Sequence, residues 1–157
     1  MRKHVVGLIS DTHGLVRAEA LAALAGVELI LHAGDVGGPG VMAALSAVAP
    51  VEAVFGNVDD AADPGLAAHR TVRVGGLTIH VSHGHELGHP TPELALAAYT
   101  ETVVVFGHTH RAAVLKRAGR LAVNPGAAGP RRFDLKPSVA RLTIAADGAD
   151  VELISLA

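Results

Sequence analysis

Apolar residues in this chain come in short β-branched runs, and each run breaks off at a Gly or a polar turn. The runs are Val5 to Ile9, Val27 to Leu31, Val51 to Phe55, Leu77 to Val81 and Thr102 to Phe106. Unbroken apolar runs of this length bounded by turn residues read as buried strands. Between the first three, Leu15 to Leu24 shows helical spacing and stops at Gly26, and Val41 to Val48 forms a short apolar helix before Pro50. This β-α-β-α-β order predicts a parallel sheet with helical crossovers. The rhythm then changes. Thr71 to Val74 and Leu77 to Val81 flank Gly75-Gly76, Ala112 to Lys116 and Arg120 to Val123 flank Gly119, and Val139 to Ala145 and Ala149 to Leu156 flank Asp147-Gly148. Each pair predicts a hairpin. Pro92 to Tyr99 predicts a helix, with Thr91 as its cap and Pro92 in its first turn. The first half therefore reads as α/β and the second as mostly antiparallel. Two mixed sheets packed face to face, with helices outside, fit that division. Residues 60–70 and 126–137 read as loops able to border a site. No linker or repeat divides the chain, so residues 1–157 form one expected domain.

The polar motifs that end these runs share one grammar. They are Ser10-Asp11-Thr12-His13, Gly34-Asp35, Gly56-Asn57, Ser82-His83-Gly84-His85 and Gly107-His108-Thr109-His110. Residues just past a strand's carboxyl end gather at one edge of the sheet, where α/β proteins build their sites. Singly, the first four motifs have plain explanations: a turn, a helix cap, a satisfied histidine; the two His of Gly107-His108-Thr109-His110 have no obvious packing role. Five of them in the same relative place point to one metal centre. Oxygen and imidazole donors suit Mn²⁺, Fe, Zn²⁺, Ni²⁺ or Mg²⁺, and the absence of Cys excludes thiolate ligands and disulfides. Asp11 and His13 lie two apart, as do His108 and His110. In an extended segment such pairs face the same side.

The order D-x-H, GD, GN, HGH, GHxH resembles the signature of the calcineurin-like metallophosphoesterase family, in particular its small single-domain bacterial and archaeal phosphodiesterases. The resemblance runs from Ser10 to His110 and extends to Asn124-Pro125-Gly126. It implies a four-layer α/β/β/α sandwich and a dinuclear centre. By that resemblance Asp11, His13 and His110 hold one metal, Asn57, His83 and His108 hold the other, and Asp35 bridges them. The implied reaction is hydrolysis of a phosphate ester, a phosphodiester first, by a metal-bridging hydroxide, with Mn²⁺ first among the cations. Phosphomonoester hydrolysis is an alternative. So is a protein-binding scaffold that kept the fold and lost catalysis, as in a eukaryotic trafficking-complex subunit of the family. All seven ligand positions are filled here, which argues against the scaffold.

One position departs from the family pattern. Many members follow GN with a His that protonates the leaving group; this chain has Gly56-Asn57-Val58-Asp59, and Val58 carries no proton to give. His85 and Asp59 are the catalytic candidates left, with Asp59 alternatively orienting His13 or a nearby ligand. Ala127 stands where the family segment after Asn124-Pro125-Gly126 usually carries Ser. Arg131 and Arg132 are candidates for a phosphate contact or for surface residues beside Asp134. His32 is expected behind a ligand or in the core, and His80 in the core or on a sheet surface. His4, His69 and His89 are expected to be exposed or in loops.

Composition narrows the partners. The net charge is −2 with neutral His, and no basic stripe or aromatic platform marks a nucleic-acid binder. A small phosphorylated substrate is the expected partner. No apolar stretch reaches membrane-spanning length, and the short run after Met1-Arg2-Lys3-His4 lacks a signal-peptide pattern, so a cytoplasmic protein is expected. The aliphatic content, with few Lys, leaves room for a homo-oligomer interface.

Overall fold

Val6, Leu8 and Ile9 of the first apolar run have no solvent-exposed surface. A strand buried on both faces is what a near-continuous apolar run encodes. The computed structural model describes residues 2–132 and 134–156. Its elements are β1 (His4–Ile9), α1 (Ala18–Ala23), β2 (Leu29–His32), α2 (Pro39–Ser46), β3 (Val51–Ala53), β4 (His69–Val74), β5 (Leu77–Ser82), a 3-10 turn (His85–Leu87), α3 (Pro92–Ala98), β6 (Val103–Val105), β7 (Ala113–Arg117), β8 (Arg120–Asn124), β9 (Ser138–Ala145) and β10 (Gly148–Ser155).

The strands form two five-stranded sheets, ordered β10-β9-β1-β2-β3 and β4-β5-β6-β8-β7. Leu8, Leu31, Val81, Val105, Val123 and Leu142 are part of the apolar layer shared by the two sheets. Leu24, Val41 and Leu45, from the α1 and α2 region, pack with Ile9 and Ile30 on the outer face of the first sheet. Ala95 and Leu96 of α3 pack with Val104 and Phe106 on the outer face of the second. The result is the expected four-layer α/β/β/α sandwich. Gly7 lets α1 close on the sheet, because a methyl group there would stand 2.8 Å from Leu24. No helix among the described residues is long and apolar enough to cross a membrane.

The second half is mostly antiparallel, as its hairpins predict, but its central pairings are not: β5 pairs parallel with β6, and β6 parallel with β8. The last hairpin lies in the first sheet, where β9 pairs antiparallel with β1. Local patterning defines a strand but not its neighbour. The first helix is also shorter than its apolar spacing suggested. The backbone ahead of it is drawn into loop bonds, Gly14 N–H to Val36 O and Leu15 N–H to Thr12 O, both 2.9 Å. Thr91 caps α3 as expected, its Oγ1 accepting from Leu94 N–H at 3.2 Å.

Candidate metal centre

The segments after β1, β2, β3, β5 and β6 meet at one rim of the sandwich. β1 and β6 are the middle strands of their sheets, so their loops face each other across the shared core. Backbone bonds continue the ladders past the strand ends. Asp11 N–H donates to Gly34 O, His13 N–H to Asp35 O and Gly107 N–H to His83 O, each at 2.9 Å.

Backbone geometry sets this rim apart. Six non-glycine residues among those described have positive φ, and five of them are Asp11, His13, Asp35, His108 and His110. Such conformations are uncommon outside Gly, with Asp and His better tolerated than most. They persist where surrounding structure forces them, often at functional sites. This revises the sequence argument for the i, i+2 pairs: Asp11 and His13 lie in a tight turn, not an extended segment. Close approach explains the neighbouring glycines. A methyl group at Gly56 would fall 2.0 Å from Asp35 Oδ1, and one at Gly107 would fall 2.1 Å from Ser10 Oγ and 2.6 Å from Asp11 Oδ2.

The candidate ligand atoms converge in two groups. In one, Asp11 Oδ1 lies 3.3 Å from His110 Nε2 and 3.9 Å from His13 Nε2. In the other, His83 Nε2 lies 3.2 Å from Asp35 Oδ2, 3.0 Å from Asn57 Oδ1 and 3.3 Å from His108 Nδ1. The groups are contiguous. Asp35 Oδ2 is 3.8 Å from His13 Nε2, and Asp11 Oδ1 is 3.8 Å from His83 Nε2. The second oxygen of each carboxylate is held elsewhere. Asp11 Oδ2 accepts from Ser10 Oγ at 2.6 Å and His108 N–H at 3.1 Å; Asp35 Oδ1 accepts from Val58 N–H at 3.1 Å. Each aspartate thus presents one free oxygen to the centre.

The electrostatics fit a cation. Burial alone would raise the Asp11 pKa, but the neighbouring His110 ring, the charge of His83 and the Ser10 hydroxyl outweigh it and hold the carboxyl low. Burial likewise opposes ionisation of Asp35, yet the His83 bond and charge and the Val58 N–H bring its pKa down to about 2. His83 is raised: burial would lower it, but Asp35 and Asp11 overcome that. His13 is lowered, first by burial, with the charges of His110 and Arg132 adding to the effect. Asp11 Oδ1 and His13 Nε2 are buried with no hydrogen-bond partner. Buried polar atoms are rarely left unpaired, and two of them facing each other inside an Asp/His cluster are the atoms a divalent cation would satisfy. Two clusters, Asp11/His13/His110 and Asp11/Asp35/His83, are compact enough to hold an ion.

Several supporting groups were weakly marked in the sequence or missed by it. The Nδ1 of His83 lies 2.8 Å from Ala33 O; donation there leaves Nε2 as the ligand atom. Buried His32 accepts at Nδ1 from Gly34 N–H, 3.1 Å, so its Nε2 carries the proton toward Thr12 Oγ1, 2.9 Å, which donates to Val36 O, 2.7 Å. Burial lowers the pKa of His32 to about 4, and the neutral ring struts the Asp11 turn against the Asp35 turn. Asn124 donates to Gly107 O and Thr109 Oγ1 at 3.2 and 3.1 Å and steadies the last motif. Ala128 and Gly129 pack the 126–132 loop onto Ser10 and Asp11 through bonds of 2.9 and 3.2 Å. Asn124 carried a sequence signal through its family segment, and His32 and the 126–137 loop were expected beside the site.

The two catalytic candidates are placed differently. Asp59 does not reach His13. Its oxygens accept from Val36, Gly37 and Gly56 N–H at 3.0, 3.1 and 2.9 Å, tying the loop after Asp35 to the one that carries Asn57. The His85 ring lies 5.3 Å from that of His83 and 6.2 Å from that of His108, and its buried Nδ1 has no hydrogen-bond partner and stands 4.0 Å from Glu86 Oε1. Arg132 lines a cleft beside His108 and His110. His89 lines that cleft too. His4 instead sits in β1, 3.0 Å from Glu28, and His69 in β4 stacks on His80. His80 is buried and also stacks on Tyr99.

Comparison with known proteins agrees with this geometry. A probable metallophosphoesterase of Methanothermobacter thermautotrophicus is 32% identical, over 96% of this chain and 91% of that protein. Among solved structures, Vps29 of Entamoeba histolytica complexed with Zn²⁺ superposes with a TM-score of 0.77 at 23% identity, covering 98% of this chain and 99% of that one. A novel archaeal phosphodiesterase superposes with a TM-score of 0.75 at 20% identity, covering 96% and 99%. Residues 5–147 match the calcineurin-like phosphoesterase superfamily domain. With a match across most of its length and a third of its residues shared with an archaeal relative, this chain belongs to the calcineurin-like phosphoesterase superfamily.

Proposed function

We propose that the protein is a metal-dependent phosphoesterase, with phosphodiesters as its first substrate class and Mn²⁺ as its first cation. The carrying observation is the convergence of Asp11, His13, Asp35, Asn57, His83, His108 and His110, with Asp11 Oδ1 and His13 Nε2 buried and unpartnered. Asp11, His13 and His110 would hold one cation and Asn57, His83 and His108 the other, with the free Asp35 oxygen between them. A bound cation pair supplies a water acidic enough to attack phosphorus at neutral pH, and charge to balance the phosphoryl oxygens.

The chain's own residues do the rest. Ser10 and the His108 N–H fix which Asp11 oxygen faces the centre. Ala33 fixes the His83 ring, and Val58 N–H fixes Asp35. We assign His85 as the proton donor to the leaving oxygen, because its ring stands beside those of His83 and His108. Asp59 is assigned to holding the ligand loops, since its oxygens are already engaged by three backbone donors.

The fold likeness to Vps29 favours a second reading: a protein-binding domain that retains a metal centre without using it for turnover. One experiment separates the two. Metal-stripped protein is given Mn²⁺, Zn²⁺, Mg²⁺ or Ni²⁺ and assayed on a chromogenic phosphodiester and the matching monoester. Metal-restored diester turnover that is absent in Asp35→Ala supports the enzyme. Protein that binds two ions and turns over neither ester with any metal supports the binding domain.

A further inference from the structure

The candidate metal centre is flanked by two clefts of opposite character. On the Asp35 side, Asp59, Asp60 and Asp63 line the opening together with Val36, Gly37 and Val58. Three carboxylates there would repel a phosphate ester. On the other side, a cleft of about 270 Å³ is lined by His89, Arg111, Arg132 and Leu135 beside His108 and His110, with no acidic residue among the described residues of its wall. It shares His89, Thr109 and Arg111 with a second, largely apolar cleft walled by Pro90, Pro92 and Phe106.

The two arginines differ from most others in the chain. Arg70 pairs with Glu52 at 3.0 Å, Arg17 donates to Gly129 O, Arg120 to the carbonyls of Leu96, Tyr99 and Glu101, and Arg141 to those of Ala23 and Ala25. The guanidinium groups of Arg111 and Arg132 have no acidic or carbonyl partner among the described residues. Two unpaired planar forks beside a centre built for a phosphoryl group suit a second anion, since guanidinium binds phosphate through paired charge-assisted hydrogen bonds.

We propose that this cleft is a second anion subsite, and that the phosphate ester taken by the centre carries a second phosphoryl group held by Arg111 and Arg132. The inference rests on the phosphoesterase reading for its first phosphoryl site and adds the class of substrate. The scissile group sits at the Asp/His centre. The second phosphoryl lies toward Arg111 and Arg132, and the apolar body of the substrate faces Pro90.

The test uses two esters with the same leaving group and scissile bond: the p-nitrophenyl ester of thymidine 5′-phosphate, and the same ester bearing a 3′-phosphate. In the Mn²⁺-loaded wild type, kcat/KM should favour the 3′-phosphorylated ester by about tenfold or more, the scale of one or two charge-assisted hydrogen bonds. In Arg111→Ala/Arg132→Ala the ratio should fall toward one, mainly through KM for the phosphorylated ester. Arg117→Ala, at the far end of β7 from Arg111, should keep the ratio. Calorimetric binding of thymidine 3′,5′-bisphosphate against the 5′-monophosphate should give the same order of preference, lost in the same double variant. Equal kcat/KM and equal affinity in the wild type overturn the proposal, as does a preference that survives the double variant. If neither ester is turned over with any metal, the phosphoesterase reading fails, and the calorimetric preference alone decides whether the subsite exists.

Discussion

The backbone N–H of His108 donates to Asp11 Oδ2 at 3.1 Å. Asp11 follows the middle strand of one sheet and His108 the middle strand of the other, 97 residues apart in the chain. Through this bond one sheet sets the orientation of a carboxylate carried by its neighbour. Gly107 makes the approach possible, because any side chain there would strike Ser10 and Asp11.

Gly107→Ala should therefore disturb the centre more than the fold. The added methyl would push Ser10 Oγ and Asp11 Oδ2 out of place. Overpacking of this kind costs about 1–3 kcal/mol, so the variant should fold with a lowered Tm. Bound metal, measured by elemental analysis after dialysis, should fall sharply. A Gly107→Ala protein holding the wild-type metal content would refute this account of the glycine.

Asp35→Ala removes the oxygen that faces both His13 and His83. Metal content and turnover should collapse together, beyond the roughly 10–100-fold that loss of an outer hydrogen-bond partner costs. Retention of either would show that Asp35 is not the bridge. Asp11 Oδ1, which also lies near both groups, would then be the residue to test.

Thr12→Val tests the strut. His32 Nε2–H loses its acceptor in a fully buried place. An unsatisfied buried donor costs about 1–3 kcal/mol, read as a lower midpoint in urea. Metal affinity should weaken by roughly 10–100-fold, although Thr12 and His32 touch no metal. Unchanged affinity would mean that the Asp11 and Asp35 turns hold their positions without the strut.

Proton release should accompany metal binding. Asp11 and Asp35 are held ionised, whereas His83 keeps its proton to a higher pH than an ordinary imidazole because it sits between them. A ligand nitrogen must give up that proton. Calorimetry in buffers of different ionisation enthalpy should show release that is largest below pH 6.5 and fades as pH rises past the raised His83 value. The sign for the metal-free protein follows. A raised folded-state pKa contributes stability that is fully present below the unfolded value and lost as pH rises through the folded one. Metal-free protein should thus lose stability above pH 6.5 where metal-loaded protein does not. Buffer-independent binding heats at pH 6 would contradict this.

Much of the candidate centre was legible in the chain because its candidate ligands follow strands. Val5 to Ile9 and Thr102 to Phe106 end at Asp11 and His108 for a topological reason: strand ends in a layered α/β fold share an edge. The supporting residues were less legible. His32 was expected behind a ligand but not its partners, Ser10 and Thr12 are small polar turn residues, and Ala128 and Gly129 carry no chemistry a motif would mark. Their roles exist only as distances between segments far apart in sequence.

By itself, the sequence determined the two sheets' worth of strands, the helical crossovers of the first half and the donor atoms offered at the strand ends. Those properties depend on hydrophobic periodicity and residue chemistry, which are local. Only the tertiary structure decided the parallel pairing of β5, β6 and β8, the return of β9 to β1, the left-handed backbone at five candidate ligands and the side of the centre on which Arg111 and Arg132 stand. Those properties depend on which loops meet across the shared core, and a contact between Asp11 and His108 leaves no trace in the spacing of either motif.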